Sequence, residues 1–314
     1  MKTIKQILSI YRGENYIRAK KLRFSGVGKN DVYNITRPFK FKRTSYILGR
    51  VEPHDGWDSK IVLFKKKKDS NYWYPDENFN PLHLEDPFIE KIGESFVVGG
   101  VEVQRPVEGK MRYRTVFYRG KDIHNLRKFS HGPWGMKDIR LVELPDKRIG
   151  VFTRPQGKKG GRGRIGFIII DSLQKLKPRI LTQAPLLKGQ FAKGEWGGVN
   201  EAIILSNGKV GALGHIARKS KDKKLLFYYP FVFYFDPYTR ERSNLRIILR
   251  RAELPEGESK KPELYNVVFP GGIIRKNKGL SKLYVGVGDA EAYEVLIKDP
   301  FEYYEEKGDD VLVN

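Results

Sequence analysis

The chain of 314 residues contains no cysteine, which excludes disulfide bonds, cysteine-ligated zinc and a thiol nucleophile. Its five histidines are scattered without metal-ligand spacing, which argues against a histidine-based metal site. No apolar run approaches the roughly 20 residues that span a bilayer, and the N-terminal segment lacks the core and cleavage site of a signal peptide. We therefore expect a cytoplasmic protein that needs neither a metal nor a cofactor.

Several common functional signatures are also missing. The chain has no GxxxxGK[ST] loop, no GxGxxG fingerprint and no nucleophile elbow. Helical periodicity is scarce, and no recognition helix, zinc-finger spacing or RNA-binding aromatic signature is present. These absences exclude the phosphate-loop, dinucleotide-binding and serine-hydrolase classes and the common nucleic-acid-binding modules.

Positive charge is abundant, since 60 Lys and Arg face 37 Asp and Glu and the net charge is +23. The basic residues form short runs beside apolar segments, a pattern that predicts solvated hairpin tips where Lys protects strand ends. The runs cover residues 65–68, 158–164, 218–224, 260–261 and 275–282. Lys enrichment without Cys is also typical of thermostable proteins. Binding of nucleic acid or another anionic polymer stays a distant alternative that rests on net charge alone.

Nearly the whole chain alternates between short apolar segments and turn residues. The segments are four to eight residues long and rich in Val, Ile, Phe and Tyr, which predicts about twenty strands. Asn207-Gly208 predicts a two-residue hairpin turn. With 18 Phe, 17 Tyr and 4 Trp the chain can bury a large core.

A polar residue precedes an apolar strand at intervals of 52–66 residues, and a Gly-containing strand follows each time. These polar residues are Asn34, Asp86, Asp138, Asn200 and Asn266. A recurrence of about four strands is typical of a β-propeller blade. We predict an all-β fold in which residues 1–314 form a single five-bladed β-propeller catalytic domain; two β-sandwiches are the alternative. The inner strands of a propeller would bring the polar residues together in a central funnel.

Charged residues from different predicted blades would meet in that funnel. Individually they are typical of solvated strand faces or, for the histidine, of a core position. Together they suit sugar hydroxyls, proton transfer and one phosphate group. The carboxylates are Asp86, Asp138, Glu201 and Asp289, and the basic residues are Arg50, Arg140, Arg154 and His215.

Nine motifs between about residues 31 and 300 carry a family resemblance. They read DVYNITRPF, RVE, EDP, GMKDIRLVEL, GVFTRPQG, EWGGVNEA, GHIA, LPEG with KKPELYNVVFPGGIIR, and LYVGVGDAEA. Their order resembles glycosyltransferase family 108, which contains β-1,2-mannan phosphorylases and mannosyltransferases and is related to the five-bladed propellers of glycoside hydrolase family 130. The resemblance implies an inverting enzyme that produces or uses α-mannose 1-phosphate.

The resemblance also implies roles for individual residues. Asp86 matches the single acid, which acts on the glycosidic oxygen through the mannose 3-hydroxyl and is expected to have a raised pKa. Phosphate is already nucleophilic and needs no general base. The implied phosphate ligands are Arg140, Arg154, Lys193 and His215. The implied sugar ligands are Asn34, Arg50, Asp138, Asn200, Glu201, Tyr228 and Asp289.

Retention of the basic set favours phosphorolysis, because hydrolases of the broader family tend to lose these residues. A β-mannoside hydrolase and a GDP-mannose-dependent β-1,2-mannosyltransferase stay as alternatives on the same fold. The expected partners are a β-mannoside oligosaccharide and phosphate, with no specific nucleic acid and no membrane. Two departures bear on the acceptor: Phe88 replaces an Arg common in family 130, and His54 and Asp55 match no family position.

Overall fold

The computed structural model describes residues 2–68, 70–105, 109–306 and 311–312. Within these residues the chain forms 23 strands, four short α-helices and three 3₁₀ turns. The prediction of an all-β chain is confirmed. Within the described ranges no helix is long and apolar enough to cross a membrane.

The N-terminal segment forms helix α1 (Ile4–Ile10) and strand β1 (Tyr16–Lys21). A capping box starts the helix, because the Thr3 hydroxyl accepts from the Gln6 amide and the Gln6 side chain accepts from the Thr3 amide at 2.8 Å. Ile4 and Ile7 are buried, so this short helix is fixed to the core by its apolar face.

The remaining strands form successive groups in chain order, antiparallel except for the pairing of β2 with β7 in the first group. The first group contains β2 (Arg23–Phe24), β3 (Asn30–Tyr33), β4 (Phe39–Phe41), β5 (Thr44–Pro53), β6 (Lys60–Lys66) and β7 (Tyr72–Pro75). The second group contains β8 (Glu85–Ile92), β9 (Ser95–Gln104), β10 (Arg112–Gly120) and β11 (Arg127–His131). The third group contains β12 (Arg140–Glu143), β13 (Ile149–Thr153) and β14 (Gly166–Ile170).

The fourth and fifth groups join through a parallel pairing of β17 with β20. The fourth group contains β15 (Trp196–Ile204), β16 (Val210–Lys219), β17 (Leu226–Phe235), β18 (Arg242–Ser243) and β19 (Arg246–Ile247). The fifth group contains β20 (Asn266–Lys276), β21 (Leu280–Val287) and β22 (Glu291–Lys298). Strand β1 pairs with β22, so the N-terminal segment completes the last group.

The connections carry the remaining short elements. The α-helices are α2 (Gly157–Gly160), α3 (Pro178–Leu181) and α4 (Glu302–Glu306), and the 3₁₀ turns span Leu173–Lys175, Arg251–Glu253 and Pro262–Leu264. The last strand, β23 (Val311–Leu312), pairs with β18.

The five groups contact one another in a closed ring. Strand β8 contacts β5 and β12, β12 contacts β15, β15 contacts β20, and β3 contacts β21 and β22. Apolar side chains fill the space between neighbouring groups. Between the third and fourth groups, for example, Phe152 and Phe167 pack edge-on against Phe235. The polar ends of the innermost strands are thereby brought towards one another.

Four of the five basic runs lie at hairpin connections, as predicted: β6–β7, β13–β14, β16–β17 and β20–β21. The prediction is wrong for Lys260, which is buried. Its ammonium group lies 3.1 Å from Glu52 Oε2 and donates to the carbonyls of Pro53 (3.2 Å) and Gly56 (2.7 Å). Three acceptors compensate the lost hydration of this lysine.

The Asn207-Gly208 hairpin is present between β15 and β16, but its loop is longer than two residues. The Leu205 amide donates to the Lys209 carbonyl, and the Gly208 amide donates back to Leu205. Only Gly208 has a positive φ, 77°. The turn therefore spans residues 206–208, with the glycine in the left-handed position that closes it.

Candidate active site

A cavity of about 530 Å³ opens among the first, second, fourth and fifth groups of strands. Its polar lining is contributed by Asn34, Arg50, Glu85, Asp86, Arg105, Lys137 and Asp289. Its more apolar lining is contributed by Trp57, Val101, Val103, Met111, Tyr113, Leu226, Tyr228, Leu264, Val267 and Phe269. A volume in this range accommodates a small organic ligand, and the mixture of apolar walls and few polar groups is typical of such sites.

The backbone itself is unusual at the polar lining. Asn34, Asp86, Asp138 and Asp289 all have positive φ, between 44° and 57°. Asn and Asp tolerate this left-handed region better than other non-glycine residues, but it still costs free energy. Such positions cluster where a side chain must be held in one direction. Three of the five recurring polar residues, Asn34, Asp86 and Asp138, therefore mark a backbone bend, whereas Asn200 and Asn266 do not have positive φ.

Asp86 lies at the start of β8, where the register with β9 shifts. Its Oδ1 accepts from Asn34 Nδ2 at 2.7 Å and from Arg50 Nη1 at 3.1 Å. Its Oδ2 lies 4.0 Å from the ammonium of Lys137. Burial acts to raise the pKa of Asp86. The positive charges of Arg50 and Lys137 lower it by more, so the pKa of Asp86 lies below its usual range. The expected raised pKa of this acid is thus wrong for the free protein.

Arg50 is held in place by several acceptors. Its Nε donates to Ser59 Oγ at 2.9 Å, and its Nη2 lies 2.9 Å from Glu52 Oε2 and 3.4 Å from Glu85 Oε1. Glu52 is fully buried and also binds Lys260. A continuous set of ion pairs thus runs from Lys260 through Glu52 and Arg50 to the Asp86 carboxylate. This set fixes the orientation of Asp86.

A second buried ion pair joins Asp138 and Arg154. Arg154 Nη1 donates to Asp138 Oδ2 at 2.9 Å, and its Nε donates to the Gly197 carbonyl at 2.9 Å. Burial would raise the pKa of Asp138, but Arg154 and Lys137 hold it far below the usual range. A Cβ atom at Gly198 would lie 2.6 Å from Arg154 Cδ. Gly198 of the EWGGVNEA motif therefore makes room for the Arg154 side chain.

His215 lies next to this pair and is neutral. Burial lowers its pKa to about 3, although Asp138 acts in the opposite direction. Its Nδ1 is 2.8 Å from Asn200 Oδ1, and its ring stacks on Tyr228 with centroids 5.4 Å apart. Tyr228 in turn lines the cavity, so His215 lies directly behind that wall.

Arg140 is buried beside Asp138, and its donors are mostly used within the protein. Its Nε donates to the Asn200 carbonyl at 2.8 Å and its Nη1 to the Ile139 carbonyl at 3.1 Å. Its Nη2 lies 3.9 Å from Asp138 Oδ1. Burial lowers the pKa of Arg140, and the guanidinium stays charged because the ordinary value is so high.

Asp289 has the opposite electrostatic character from Asp86. Burial raises its pKa to about 6, and the negative charge of Asp86 acts in the same direction against the pull of Arg50. Two carboxyl groups of the same cavity thus differ in protonation around pH 6. Such a separation is common where one site performs acid–base chemistry.

Three buried polar atoms around the cavity have no hydrogen-bond partner among the described residues. They are Asn34 Oδ1, Asp138 Oδ1 and Asn200 Nδ2. Buried polar groups are nearly always paired in folded proteins, so each such atom calls for an explanation. Hydrogen bonds to the hydroxyls or oxyanion of a ligand would satisfy them.

The structure brings together most of the residues singled out by sequence. Asn34, Arg50, Asp86, Tyr228 and Asp289 line the cavity. The buried residues behind it are Asp138, Arg140, Arg154, Asn200 and His215. Their assigned roles towards phosphate and sugar stay predictions, as does that of Lys193, which is exposed on the loop before β15.

Glu201 lies in a different cluster, which we call the Arg37 cluster and define as Arg37, Glu90 and Glu201. Arg37 Nε donates to Glu201 Oε1, the Ile273 amide donates to Glu201 Oε2 at 2.6 Å, and Arg37 Nη2 lies 4.0 Å from Glu90 Oε2. Burial raises the pKa of both glutamates. Because both oxygens of Glu201 are engaged and it does not line the cavity, its position does not support sugar binding.

Lys137 was missed by the sequence reasoning although it lines the cavity. The signal was available, because Lys137 directly precedes Asp138 in the GMKDIRLVEL motif. A lysine between a polar turn and a strand is usually read as solvated, and only the fold shows that this one faces Asp86. Burial acts against its charge, but Asp138 and Asp86 raise the pKa of Lys137 above its ordinary value.

No metal site accompanies this arrangement in the part of the chain that the structure describes, where no group of three or more His, Asp or Glu side chains is placed to hold a metal ion. The predicted independence of metals and cofactors stays a prediction.

His54 and Asp55 are the two residues for which the family resemblance gave no role. His54 Nδ1 lies 2.7 Å from Asp31 Oδ2, whereas Asp55 is exposed.

Comparison with known proteins places the chain among sugar-active relatives. The family model described as protein of unknown function (DUF1861) matches residues 10–303. No curated protein sequence matches the chain. The structure of MPT-4, a mannose phosphorylase from Leishmania mexicana in complex with a phosphate ion, is 34% identical, with a TM-score of 0.88 over 96% of this chain and 94% of the relative.

Two further solved structures are informative. MPT-1, a GDP-Man-dependent mannosyltransferase from Leishmania mexicana, is 35% identical, with a TM-score of 0.83 over 91% of each chain. The β-1,2-mannobiose phosphorylase of Listeria innocua shares the fold at 15% identity, with a TM-score of 0.59 over 92% of each chain. The chain therefore belongs to the DUF1861 family, and its membership of the phosphorylases and mannosyltransferases of glycosyltransferase family 108, related to glycoside hydrolase family 130, is confirmed.

Proposed function

We propose that the protein is an inverting phosphorylase that cleaves β-1,2-linked mannosides with phosphate and releases α-mannose 1-phosphate. The reverse reaction would extend oligomannosides from mannose 1-phosphate. The catalytic domain would be a five-bladed propeller, each blade being one of the five groups in the closed ring.

One observation carries this proposal. In the cavity the Asp86 carboxylate is hydrogen-bonded by Asn34 and Arg50 and lies 4.0 Å from the ammonium of Lys137. The buried Asp138–Arg154 pair lies beside it. A phosphate dianion needs cations near the acid, since carboxylates alone would repel it. The 34% identity to a mannose phosphorylase with bound phosphate supports the same substrate class.

In this reaction Asp86 supplies the proton that the departing sugar needs. The proton passes from the Asp86 carboxyl to the mannose 3-hydroxyl, which gives its own proton to the glycosidic oxygen as the bond from C1 to that oxygen breaks. A phosphate oxygen forms the new bond to C1 from the opposite face, which inverts the configuration. Asn34 and Arg50 hold the carboxyl at the geometry that the transfer requires.

Phosphate would lie next to Lys137 and Tyr228, with the neutral His215 behind Tyr228. Lys137 contributes charge, while Arg154 and Arg140 contribute a positive potential from behind, because most of their donors already bind protein carbonyls and Asp138. A buried set of cations acts strongly on an anion, since little water screens it.

The mouth of the cavity would receive the rest of the mannoside. Trp57 lines it and its side chain stays 54% exposed. Met111 and Leu264 extend the apolar lining. Exposed aromatic and apolar surface at a cavity mouth is characteristic of a binding site, and the apolar faces of a sugar ring complement it.

The test is incubation of β-1,2-mannobiose with and without inorganic phosphate, followed by detection of mannose 1-phosphate. We expect phosphate-dependent cleavage that yields one mannose 1-phosphate for each mannose. Release of mannose at the same rate without phosphate would instead identify a β-mannoside hydrolase. Asp86→Asn serves as the control for catalysis by this site.

A GDP-mannose-dependent β-1,2-mannosyltransferase is the second candidate. The 35% identity to MPT-1 over 91% of each chain favours it. Incubation of GDP-mannose with an oligomannoside acceptor distinguishes the two activities by the product formed. Release of GDP with acceptor elongation, together with no phosphate-dependent cleavage, would replace the phosphorylase assignment.

A further inference from the structure

Lys137 differs from the buried arginines around the cavity. Among the hydrogen bonds of the described residues, none has the Lys137 ammonium as donor; the residue lines the cavity and its side chain is 34% exposed. Arg50 directs its guanidinium at four protein acceptors and Arg154 at three. Lys137 therefore retains donors for a ligand, and its flexible stem allows the ammonium group to move.

The same ammonium group acts on Asp86. Asn34 and Arg50 both bind Asp86 Oδ1, which leaves Oδ2 facing Lys137 at 4.0 Å. The other charged groups that act on this carboxylate are Asp138, which follows Lys137 in the chain, Arg140 at the start of β12, and Asp289 after β21. The carboxylates of Glu52 and of Glu85, the residue before Asp86, both pair with the Arg50 guanidinium.

The proposed reaction requires a protonated Asp86, which this arrangement does not provide in the free protein. With Arg50 and Lys137 both directed at it, the Asp86 carboxyl is ionised and has no proton to donate. An anion bound beside Lys137 would favour protonation of Asp86 in two ways. It would engage the ammonium group, and its own negative charge would disfavour ionisation of Asp86.

We propose that Lys137 is a positioning residue shared between Asp86 and the bound phosphate, so that anion binding in this cavity makes Asp86 take up the proton that it later donates. This rests on the proposed function, because it takes Asp86 as the acid. The proton comes from solvent and adds to the Asp86 carboxylate, and no other bond forms or breaks. Phosphate thus acts as nucleophile and also prepares the acid.

Sulfate alone tests the coupling without turnover. Sulfate stays a dianion between pH 5 and 8, so any proton taken up on binding enters the protein. We would titrate sulfate by calorimetry in buffers of different ionisation enthalpy across this range. The wild-type protein should take up protons on binding, and its sulfate Kd should fall as the pH falls, by at most about tenfold per pH unit. A sulfate Kd and proton count independent of pH would overturn the inference.

Variants identify the groups responsible. Asp86→Asn should lose most of the proton uptake and keep only the share that Asp289 contributes near its pKa of about 6, whereas Asp289→Asn should keep the share of Asp86. Loss of uptake in Asp289→Asn with retention in Asp86→Asn overturns the inference, because Asp289 would then be the titrating group. Lys137→Met should bind sulfate at least about tenfold more weakly with a flatter pH dependence, and Lys137→Arg, which keeps the charge, should recover most of both. Proton uptake by Lys137→Met that is as large as that of the wild-type protein also overturns the inference.

The two proposals fail separately. A protein that takes up a proton on Asp86 with sulfate but shows no phosphate-dependent cleavage supports the coupling and refutes the phosphorylase. Phosphate-dependent cleavage without sulfate-linked proton uptake refutes the coupling alone.

Discussion

Two clusters in this protein both pair carboxylates with cations but have different properties. The cavity set centres on Asp86 with Arg50 and Lys137, and the Arg37 cluster combines one guanidinium with two glutamates. In the Arg37 cluster both oxygens of Glu201 are engaged by protein donors. Around the cavity, three polar atoms lack hydrogen-bond partners among the described residues: Asn34 Oδ1, Asp138 Oδ1 and Asn200 Nδ2. The Lys137 ammonium, 4.0 Å from Asp86, donates no hydrogen bond to these residues.

The difference shows how a ligand site can be told from an internal ion-pair network. Burial and shifted pKa values occur in both clusters. What separates them is access to a cavity together with unused hydrogen-bonding capacity. Sequence reasoning, which sees only residue types, assigned Glu201 to the site and overlooked Lys137.

The largest expected effect is on Asp86. Asp86→Asn should lower turnover by about 10²–10⁴-fold, since the amide cannot supply the proton. Asn tolerates the positive φ at this position and keeps the hydrogen bond of one oxygen, so the melting temperature should change little. Activity assays and thermal unfolding measure both, with exposed Glu94→Gln as the control. Turnover close to that of wild type contradicts the role of Asp86.

Arginine substitutions in the two clusters should separate binding from stability. Arg154→Lys keeps a charge but loses the paired geometry with Asp138 and Gly197, and should raise the KM for phosphate several-fold. Arg37→Lys should lower the free energy of unfolding by roughly 1–3 kcal/mol and leave the phosphate KM unchanged. Steady-state kinetics with urea unfolding distinguish the two. A phosphate KM that rises equally in both variants would mean that the clusters are not distinct.

Asp289 should make stability depend on pH. Its folded-state pKa of about 6 lies above the unfolded value, so its contribution is fully present below about pH 4 and is lost as the pH rises through 6. Asp289→Asn should therefore stabilise the protein at pH 7 by on the order of 2–3 kcal/mol, and by much less at pH 4. Urea unfolding at both pH values measures the difference. An equal effect at pH 4 and pH 7 would contradict the raised pKa.

The smallest effect concerns the mouth of the cavity. Trp57→Ala should raise the KM for the mannoside by roughly three- to tenfold while the KM for phosphate stays constant, because Trp57 lines the cavity with a side chain that is 54% exposed. Trp57→Phe, which keeps an aromatic face, should restore much of the affinity. If the phosphate KM changed instead of the mannoside KM, Trp57 would belong to the phosphate side.

Local patterns were sufficient for much of the fold. Short apolar segments separated by turn residues predicted an all-β chain of about twenty strands. This prediction succeeds because the tendency to form a strand depends mainly on residues that are close in sequence. The hairpin at Asn207-Gly208 was predicted correctly, but its predicted two-residue loop was wrong, since one glycine can close turns of different length. Lys260 was misassigned because a buried lysine needs acceptors from Glu52, Pro53 and Gly56, more than 200 residues earlier.

The sequence by itself determined the strand-rich class, the recurring polar residues at the strand ends and the family resemblance, because these depend on local spacing and residue type. Only the tertiary structure decided which of these residues share a cavity. The lowered pKa of Asp86, the neutral state of His215 and the exposure of the Lys137 ammonium to the cavity all depend on distances between chain segments far apart in sequence. Electrostatic interactions depend on distance and burial, so composition alone cannot determine them.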